Sequence, residues 1–168
     1  VSAGTFDNLL PASGIWVSHD GGSSWTAAND TTAADANVTS LAVSSENARV
    51  VYAATGNHGV LKTVDGGGDW NAVNQGLPGS PAAVAVAIHP ANPDTVLVGL
   101  DGAGLYRSDD GGATWRQSVT GMNPQGSISD IVFDPTNAQT LFASDRSSGV
   151  YRSIDGGATW ARVTNGLR

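Results

Sequence analysis

Fourteen aspartates and a single glutamate, Glu46, supply the side-chain carboxylates of this 168-residue chain, and two groups among them could do chemistry. One set recurs at a fixed spacing. The other sits in irregular stretches with Asp7, Asn8, Asn57, His58, Asp101, Asp145 and Arg146. Polar residues of this kind hold a ligand when loops on a rigid scaffold bring them together. Two carboxylates about 5–9.5 Å apart can cleave a glycosidic bond as an acid and a base or nucleophile. Asp101 and Asp145 are available for such a pair, but no motif marks either, and no catalytic residue is assigned. His19, His58 and His89 stand in separate turns and there is no cysteine, so neither a nucleophile–histidine triad nor a thiolate metal site is indicated. The nearest approach to a calcium loop, Asp65-Gly66-Gly67-Gly68-Asp69, fits neither D-x-D-x-D-G nor G-G-x-G-x-D. The reading includes no metal and no cofactor.

The regular set has another chemistry. Asp20, Asp65, Asp110 and Asp155 recur every 45 residues, and Trp25, Trp70, Trp115 and Trp160 keep the same step. Each Asp follows a hydroxyl residue by two positions (Ser18, Thr63, Ser108, Ser153) and precedes a glycine by two (Gly22, Gly67, Gly112, Gly157). A carboxylate in a tight turn accepts backbone N–H groups, as in an Asx-turn. Such charge-assisted bonds are roughly twice as strong as neutral ones. The tryptophan opens the next apolar run, where burying about 150–250 Å² of ring is worth roughly 4–6 kcal/mol as an upper bound. These sixteen positions read as structural pins.

The elements that carry them are short strands. In the third copy the runs 82–89, 95–100, 104–108 and 114–119 are β-branched, aliphatic or alternating, and Gly, Pro, Asn and Asp turns separate them. They form an antiparallel meander of strands a, b, c and d. The fourth copy repeats it at 128–133, 140–144, 149–153 and 159–163, and the second at 38–43, 50–55, 59–63 and 70–73. The first copy has only b, c and d, at 1–6, 15–18 and 25–27. No stretch holds a 3.6-residue period, so almost no helix is expected. A repeat of this length matches one four-stranded propeller blade. The expectation is an all-β propeller segment of about 15 strands, or 3.75 blades, forming one unit over 1–168 with blades near 1–30 (incomplete), 38–77, 82–122 and 127–168.

An open arc of blades leaves apolar faces and strand edges uncovered. Further blades, from the same protein or from a second copy, are therefore expected to close the ring. The opening Val1, with no start methionine or signal peptide, is read as the start of a processed or cut chain. Strand parity puts the a–b and c–d turns at one end of each blade. The more variable b–c loops (7–13, 56–58, 101–103, 145–148) and d–a loops (28–37, 74–81, 120–127) share the other. The seven irregular-set residues belong to that variable face.

Ser18-His19-Asp20-Gly21-Gly22-Ser23-Ser24-Trp25 and its counterparts at 108–115 and 153–160 resemble the Asp-box, or BNR repeat, of pattern S/T-x-D-x-G-x-T-W. The second copy departs from it, with Asp69 where Thr or Ser belongs, which predicts a looser turn. The chain thus resembles the Asp-box β-propellers, among them sialidases, xyloglucanase-type glycoside hydrolases, sortilin-like and photosystem assembly factor-like proteins. The sialidase likeness implies an arginine cluster, a Tyr nucleophile with a Glu partner, and an Asp acid. Here Glu46 lies toward the Asp-box face, and no F/Y-R-I-P motif is present. Tyr106 and Tyr151, like Arg107 and Arg152, are repeat equivalents that read as blade packing. Runs such as 104–115 and D-P-T-N at 134–137 are similar in texture to xyloglucanases, in which two Asp residues face each other across a cleft between propellers. Other members of the group are not enzymes, and the shared fold does not select among them.

Net charge is −7, with one Lys and seven Arg spread along the chain. No basic stripe exists for nucleic acid, and no apolar run is long enough to insert in a membrane. The absence of cysteine leaves the redox compartment open, but a surplus of Ala, Ser, Thr, Asn and Gly with almost no Lys resembles secreted bacterial proteins, so an extracellular or periplasmic location is expected. The favoured reading is a non-catalytic secreted module that binds a protein or glycan, or assembles with other chains, through loops opposite the Asp boxes. A glycoside hydrolase fragment and a purely structural self-assembling piece are the alternatives.

Overall fold

The computed structural model describes residues 2–3, 14–28, 31–79 and 81–163. Their regular structure is 15 strands and one helical turn, α1 (Thr31–Ala34). β1 (Ser2–Ala3), β2 (Ile15–Val17) and β3 (Thr26–Ala27) form a three-stranded sheet. Three four-stranded sheets follow. They are β4 (Val38–Val43), β5 (Val51–Thr55), β6 (Gly59–Thr63) and β7 (Asn71–Ala72); β8 (Ala83–Ile88), β9 (Val96–Leu100), β10 (Gly104–Ser108) and β11 (Arg116–Gln117); and β12 (Ile128–Phe133), β13 (Leu141–Asp145), β14 (Gly149–Ser153) and β15 (Ala161–Arg162). All neighbours are antiparallel and sequential, so each sheet is a meander. The sheets are the blades of a β-propeller, numbered 1 to 4 here. Their first strands pack together, β4 against β8 and β8 against β12.

Each complete blade carries a β-bulge near the start of its first strand, between Val38 and Ser40, Ala83 and Ala85, and Ile128 and Asp130. A bulge raises local twist, and here it recurs at the same repeat position. Thr39 at the first bulge donates to Ala54 O at 3.0 Å within its blade and to Ala83 O at 2.8 Å in the next.

The d strands are shorter than the sequence predicts. The runs 70–73, 114–119 and 159–163 reduce to pairs of residues, β7, β11 and β15. The physical reason lies across the blade boundary. Trp115 N donates to Gln75 O and Trp160 N to Thr120 O, both at 2.9 Å. The tryptophan backbone therefore bonds to the linker before its own blade and not to strand c. Gly76 and Gly121 make this contact possible. Both have positive φ (94° and 91°), and a Cβ on either would collide with the carbonyl oxygen of Trp115 or Trp160.

The core is three apolar layers between blades. Ile15, Ala33, Val51, Leu61 and Trp70 fill the first. Tyr52, Val86, Val98, Leu100 and Trp115 fill the second. Leu97, Leu105, Ile131, Leu141, Tyr151 and Trp160 fill the third. β5 and β9 lie between two layers and are buried at every residue. β13 is buried on one side only, with alternate residues Phe142 exposed and Ser144 half-buried. That alternation is the signature of a sheet covered on one face.

Parity is realised in hydrogen bonds. At one end the Asp-Gly-Gly turns donate to the a–b turns, Gly66 N to Arg49 O, Gly111 N to Asp94 O and Gly156 N to Gln139 O, all at 2.9 Å. At the other end the b–c loops join the d–a loops, through Gly56 N to Asn37 O at 2.9 Å and Arg146 N to Ser127 O at 3.0 Å. No helix among the described residues is long and apolar enough to cross a membrane.

Candidate functional site

The Asp-Gly-Gly turns use their side chains almost identically. Asp110 accepts Thr114 N at 2.8 Å and Ser108 Oγ at 2.7 Å on one oxygen, and Thr114 Oγ1 at 2.5 Å on the other. Ser108 Oγ in turn accepts Gly112 N at 2.8 Å. Asp155 does the same with Thr159, Ser153 and Gly157, and Asp20 with Ser24, Ser18 and Gly22. The Thr114 hydroxyl, then its amide, holds the Asp110 carboxyl down at about 2. Ser24 does so for Asp20, also to about 2. Burial opposes the shift at Asp155, but the Thr159 hydroxyl and amide outweigh it and leave the group at about 2. The second turn departs where its sequence does. Asp69 offers Asp65 only its amide, at 3.1–3.2 Å, and Gly68 N supplies a bond at 2.8 Å. The Thr63 hydroxyl is the main cause of that carboxyl's lowered pKa. Trp70, Trp115 and Trp160 are buried behind these turns, while Trp25 is 42% exposed.

The opposite face gathers the variable loops. Asn57 Oδ1 accepts Asn37 N at 2.9 Å and its amide donates to Asp35 O at 2.8 Å. His58 Nε2 lies 2.8 Å from Asp35 Oδ1. Asp101 and Arg146, from neighbouring blades, approach to 3.9 Å. Asp145 sits where β13 enters its b–c loop, on the variable face, but its side chain is turned inward. It is 3% exposed, and its carboxylate accepts Ser147 N, Ser147 Oγ and Ser148 Oγ at 2.6–2.8 Å. Burial raises its pKa, and these bonds, with Ser148 first, bring it below the ordinary value. Asp145 thus holds its own loop together. Asp7 and Asn8 lie outside the described residues. Among the described residues no three His, Asp or Glu side chains converge on one point.

Two features escaped the sequence reading. Asp35 orients His58, and nothing in its spacing marks it. Lys62 and Arg107 are more than blade packing, because each donates across a blade boundary to a backbone oxygen of the next Asp-Gly-Gly turn. Their recurrence at one repeat position was the available signal. Arg107 is also held by Asp109 at 2.6 Å, and Arg116 joins the same carboxylate at 2.5 Å. A cleft of about 280 Å³ opens on this side between blades 1 and 2, lined among others by Val17, His19, Thr26 and Asp65. It is smaller than the roughly 300–1,000 Å³ usual for ligand pockets.

The sequence profile of a family described as Photosynthesis system II assembly factor YCF48 matches residues 12–137. The chain belongs to that family. As a YCF48-family propeller it also has wider structural relatives. An ancestral GH74 enzyme superposes with a TM-score of 0.77 at 22% identity, over 92% of this chain and 22% of that one. The GH74 xyloglucanase from Xanthomonas campestris gives 0.66 at 23% identity, over 86% and 26%. A YCF48 structure bound to D1 peptide gives 0.58 at 19% identity, over 75% and 40%. These likenesses establish the fold, and this YCF48-family chain spans only about a fifth to two fifths of the structures it matches. No curated protein matches it in sequence. The arrangement on the variable face of this YCF48-family chain suits recognition: exposed charges of both signs, paired but reachable, on loops tied to rigid strands.

Proposed function

We propose that the chain is a non-catalytic binding or assembly module that meets a protein partner with the loops opposite its Asp-Gly-Gly turns. The state of the loop carboxylates carries this reading. Asp145 is buried among donors of its own loop and Asp101 faces Arg146, so the two acids are not a free pair for bond cleavage. His58 with Asp35, and Arg146 with Asp101, remain as accessible polar contacts for a polypeptide. Membership in a family described as an assembly factor supports the role, as does a fold neighbour bound to a peptide. In this reading further blades, from the same protein or a second copy, complete the ring. The module acts outside the cytoplasm, in line with its lysine-poor composition rich in Ala, Ser, Thr, Asn and Gly.

A second reading has its own support, because GH74 enzymes superpose on up to 92% of this chain. In that reading the chain is a stretch of a glycoside hydrolase. One experiment separates the two. The protein is incubated with xyloglucan and with sialosides, and separately carried through a peptide-display selection. The expected result is no sugar release, together with selected peptides whose binding falls in His58→Ala and Asp101→Ala while the melting temperature holds. Sugar release that disappears in Asp101→Ala would replace the first reading with the second.

A further inference from the structure

Blades 2 and 3 each place a cation on the Asp-Gly-Gly turn of the blade that follows. From blade 2, Lys62 Nζ donates to Gly111 O at 2.7 Å, and Tyr52 Oη shares that oxygen at 2.7 Å. From blade 3, Arg107 Nη1 donates to Gly156 O. Both cations lie against the first glycine of the turn. A Cβ at Gly111 would stand 3.3 Å from Lys62 Nζ, and one at Gly156 would stand 3.5 Å from Arg107 Nη1. An ammonium and a guanidinium thus serve the same carbonyl at the same repeat position, although their shapes differ.

The boundary between blades 1 and 2 lacks that cation. Val17 holds the position, paired with Thr26 as Lys62 is with Asn71 and Arg107 with Arg116. Valine has nothing to donate. Its Cγ2 covers the second glycine, 2.7 Å from a Cβ on Gly67, while no described atom lies within 4 Å of a Cβ on Gly66. Ala28 stands where the larger Val73 packs toward Gly112, which sets the wall back further. The cleft of about 280 Å³ opens here, lined by Val17, Ala28, Asp65 and Gly66 among others. Gly66 is half-buried, whereas Gly111 and Gly156 are buried. Asp65 also differs from its counterparts. In the other three turns a hydroxyl occupies the second carboxylate oxygen at 2.5–2.6 Å. Asp65 Oδ2 accepts only the Asp69 amide, at 3.1 Å, and keeps capacity for another donor. Arg49 stands where Asp94 and Gln139 stand, with its carbonyl on Gly66 N and its side chain exposed. Asp65 is therefore the acid that lines the cleft.

We propose that the cleft between blades 1 and 2 receives one cationic group from outside the chain, an alkylammonium or a guanidinium. The group donates to Gly66 O, as Lys62 and Arg107 donate to Gly111 O and Gly156 O, and Asp65 Oδ2 supplies the opposite charge. Val17, Ala27 and Ala28 offer an apolar wall to the stem that carries it. The cleft is small for a whole ligand molecule and suits the end of one side chain. Lysine or arginine of a partner polypeptide has this chemistry, and so has a free polyamine. The site lies at the Asp-Gly-Gly end, away from the variable loops, and is independent of peptide binding there.

The test follows the amide signals of Gly66 and Gly67 by NMR in the full chain. The probes are a short peptide of sequence Ala-Gly-Lys-Gly-Ala, capped at both ends, its arginine version and its norleucine version, which keeps the stem without the charge. Saturable shifts should appear with lysine and arginine and be absent with norleucine. Spermidine is the second arm. Saturation by the peptides at lower concentration assigns the group to a partner's side chain, and the reverse order assigns it to a polyamine. Val17→Lys supplies the missing cation from within the chain and should weaken binding of the lysine peptide by about tenfold or more. Asp65→Asn removes the charge but leaves an acceptor for the turn amides, and should weaken it similarly. The circular dichroism spectrum of both variants is expected to match the parent. Equal shifts with the norleucine peptide, no shift at Gly66 with any probe, or parental binding in both variants would overturn the proposal.

Discussion

The Thr114 hydroxyl is the largest cause of the depressed Asp110 pKa, and it is the residue missing from the second turn, where Asp69 stands. Two expectations follow from this difference. Thr114→Val keeps the shape of the side chain but removes the donor, so the Asp110 carboxyl, followed by NMR, should titrate above its present value of about 2. Asp69→Thr gives Asp65 the hydroxyl it lacks and removes a neighbouring like charge. Its carboxyl pKa should fall further and the melting temperature should rise by a degree or more. Unchanged titration in both variants would mean that the backbone amides alone set these groups. Trp115→Ala removes a buried ring and the bond from its Nε1 to Val73 O, at a cost of about 3–5 kcal/mol in chemical denaturation. Asp101→Ala, on an exposed loop, should stay within about 0.5 kcal/mol. The Asp-Gly-Gly turns and their hydrogen bonds were legible in the sequence because the same residue types return at one spacing. The burial of Asp145 was not, because it depends on Ser147 and Ser148 turning inward, and loop serines carry no directional signal.

The b and c strands were also legible, and for a local reason. Runs such as Val-Leu-Val-Gly-Leu at 96–100 are bounded by turn residues on both sides, so propensity and tertiary pairing agree. The d strands were overcalled because the pattern of a tryptophan followed by polar and apolar residues looks extended. Nothing local shows that its amide bonds to the previous linker. That linker contact makes a prediction about single glycines. Gly76→Ala and Gly121→Ala each place a methyl against a backbone carbonyl at positive φ. Each should lose at least about 1–3 kcal/mol of stability. Gly79 has no atom within 4 Å of a built Cβ, so Gly79→Ala should be neutral or gain up to about 1 kcal/mol through the unfolded chain. Urea unfolding of the three variants decides the point. Equal effects would show that the linker yields without cost.

A stack of blades that depends on the same carboxylate in three of its turns should respond to acid as a whole. Asp20, Asp110 and Asp155 have folded values of about 2 against an ordinary 3.8. A depressed acid binds its proton more weakly in the folded state. Its contribution is therefore complete above 3.8 and is lost as pH falls toward 2. The three losses coincide because the three turns share one set of donors. His89 starts a smaller decline earlier. Burial, then Arg107, lowers its pKa below the ordinary 6.5, so protonation favours the unfolded chain as pH drops through that value. Net charge reinforces the main step, since the −7 of neutral pH turns positive as carboxylates protonate, and repulsion then opposes the compact state. Urea midpoints measured from pH 7 downward should show a slight fall below 6.5, a plateau, and a steep fall between 3.8 and 2. A chain carrying both Thr114→Val and Thr159→Val should begin the steep fall at higher pH. A profile that stays flat to pH 2, or a double variant with the parental profile, would show that the turns are held by their glycines and tryptophans without help from the carboxylates.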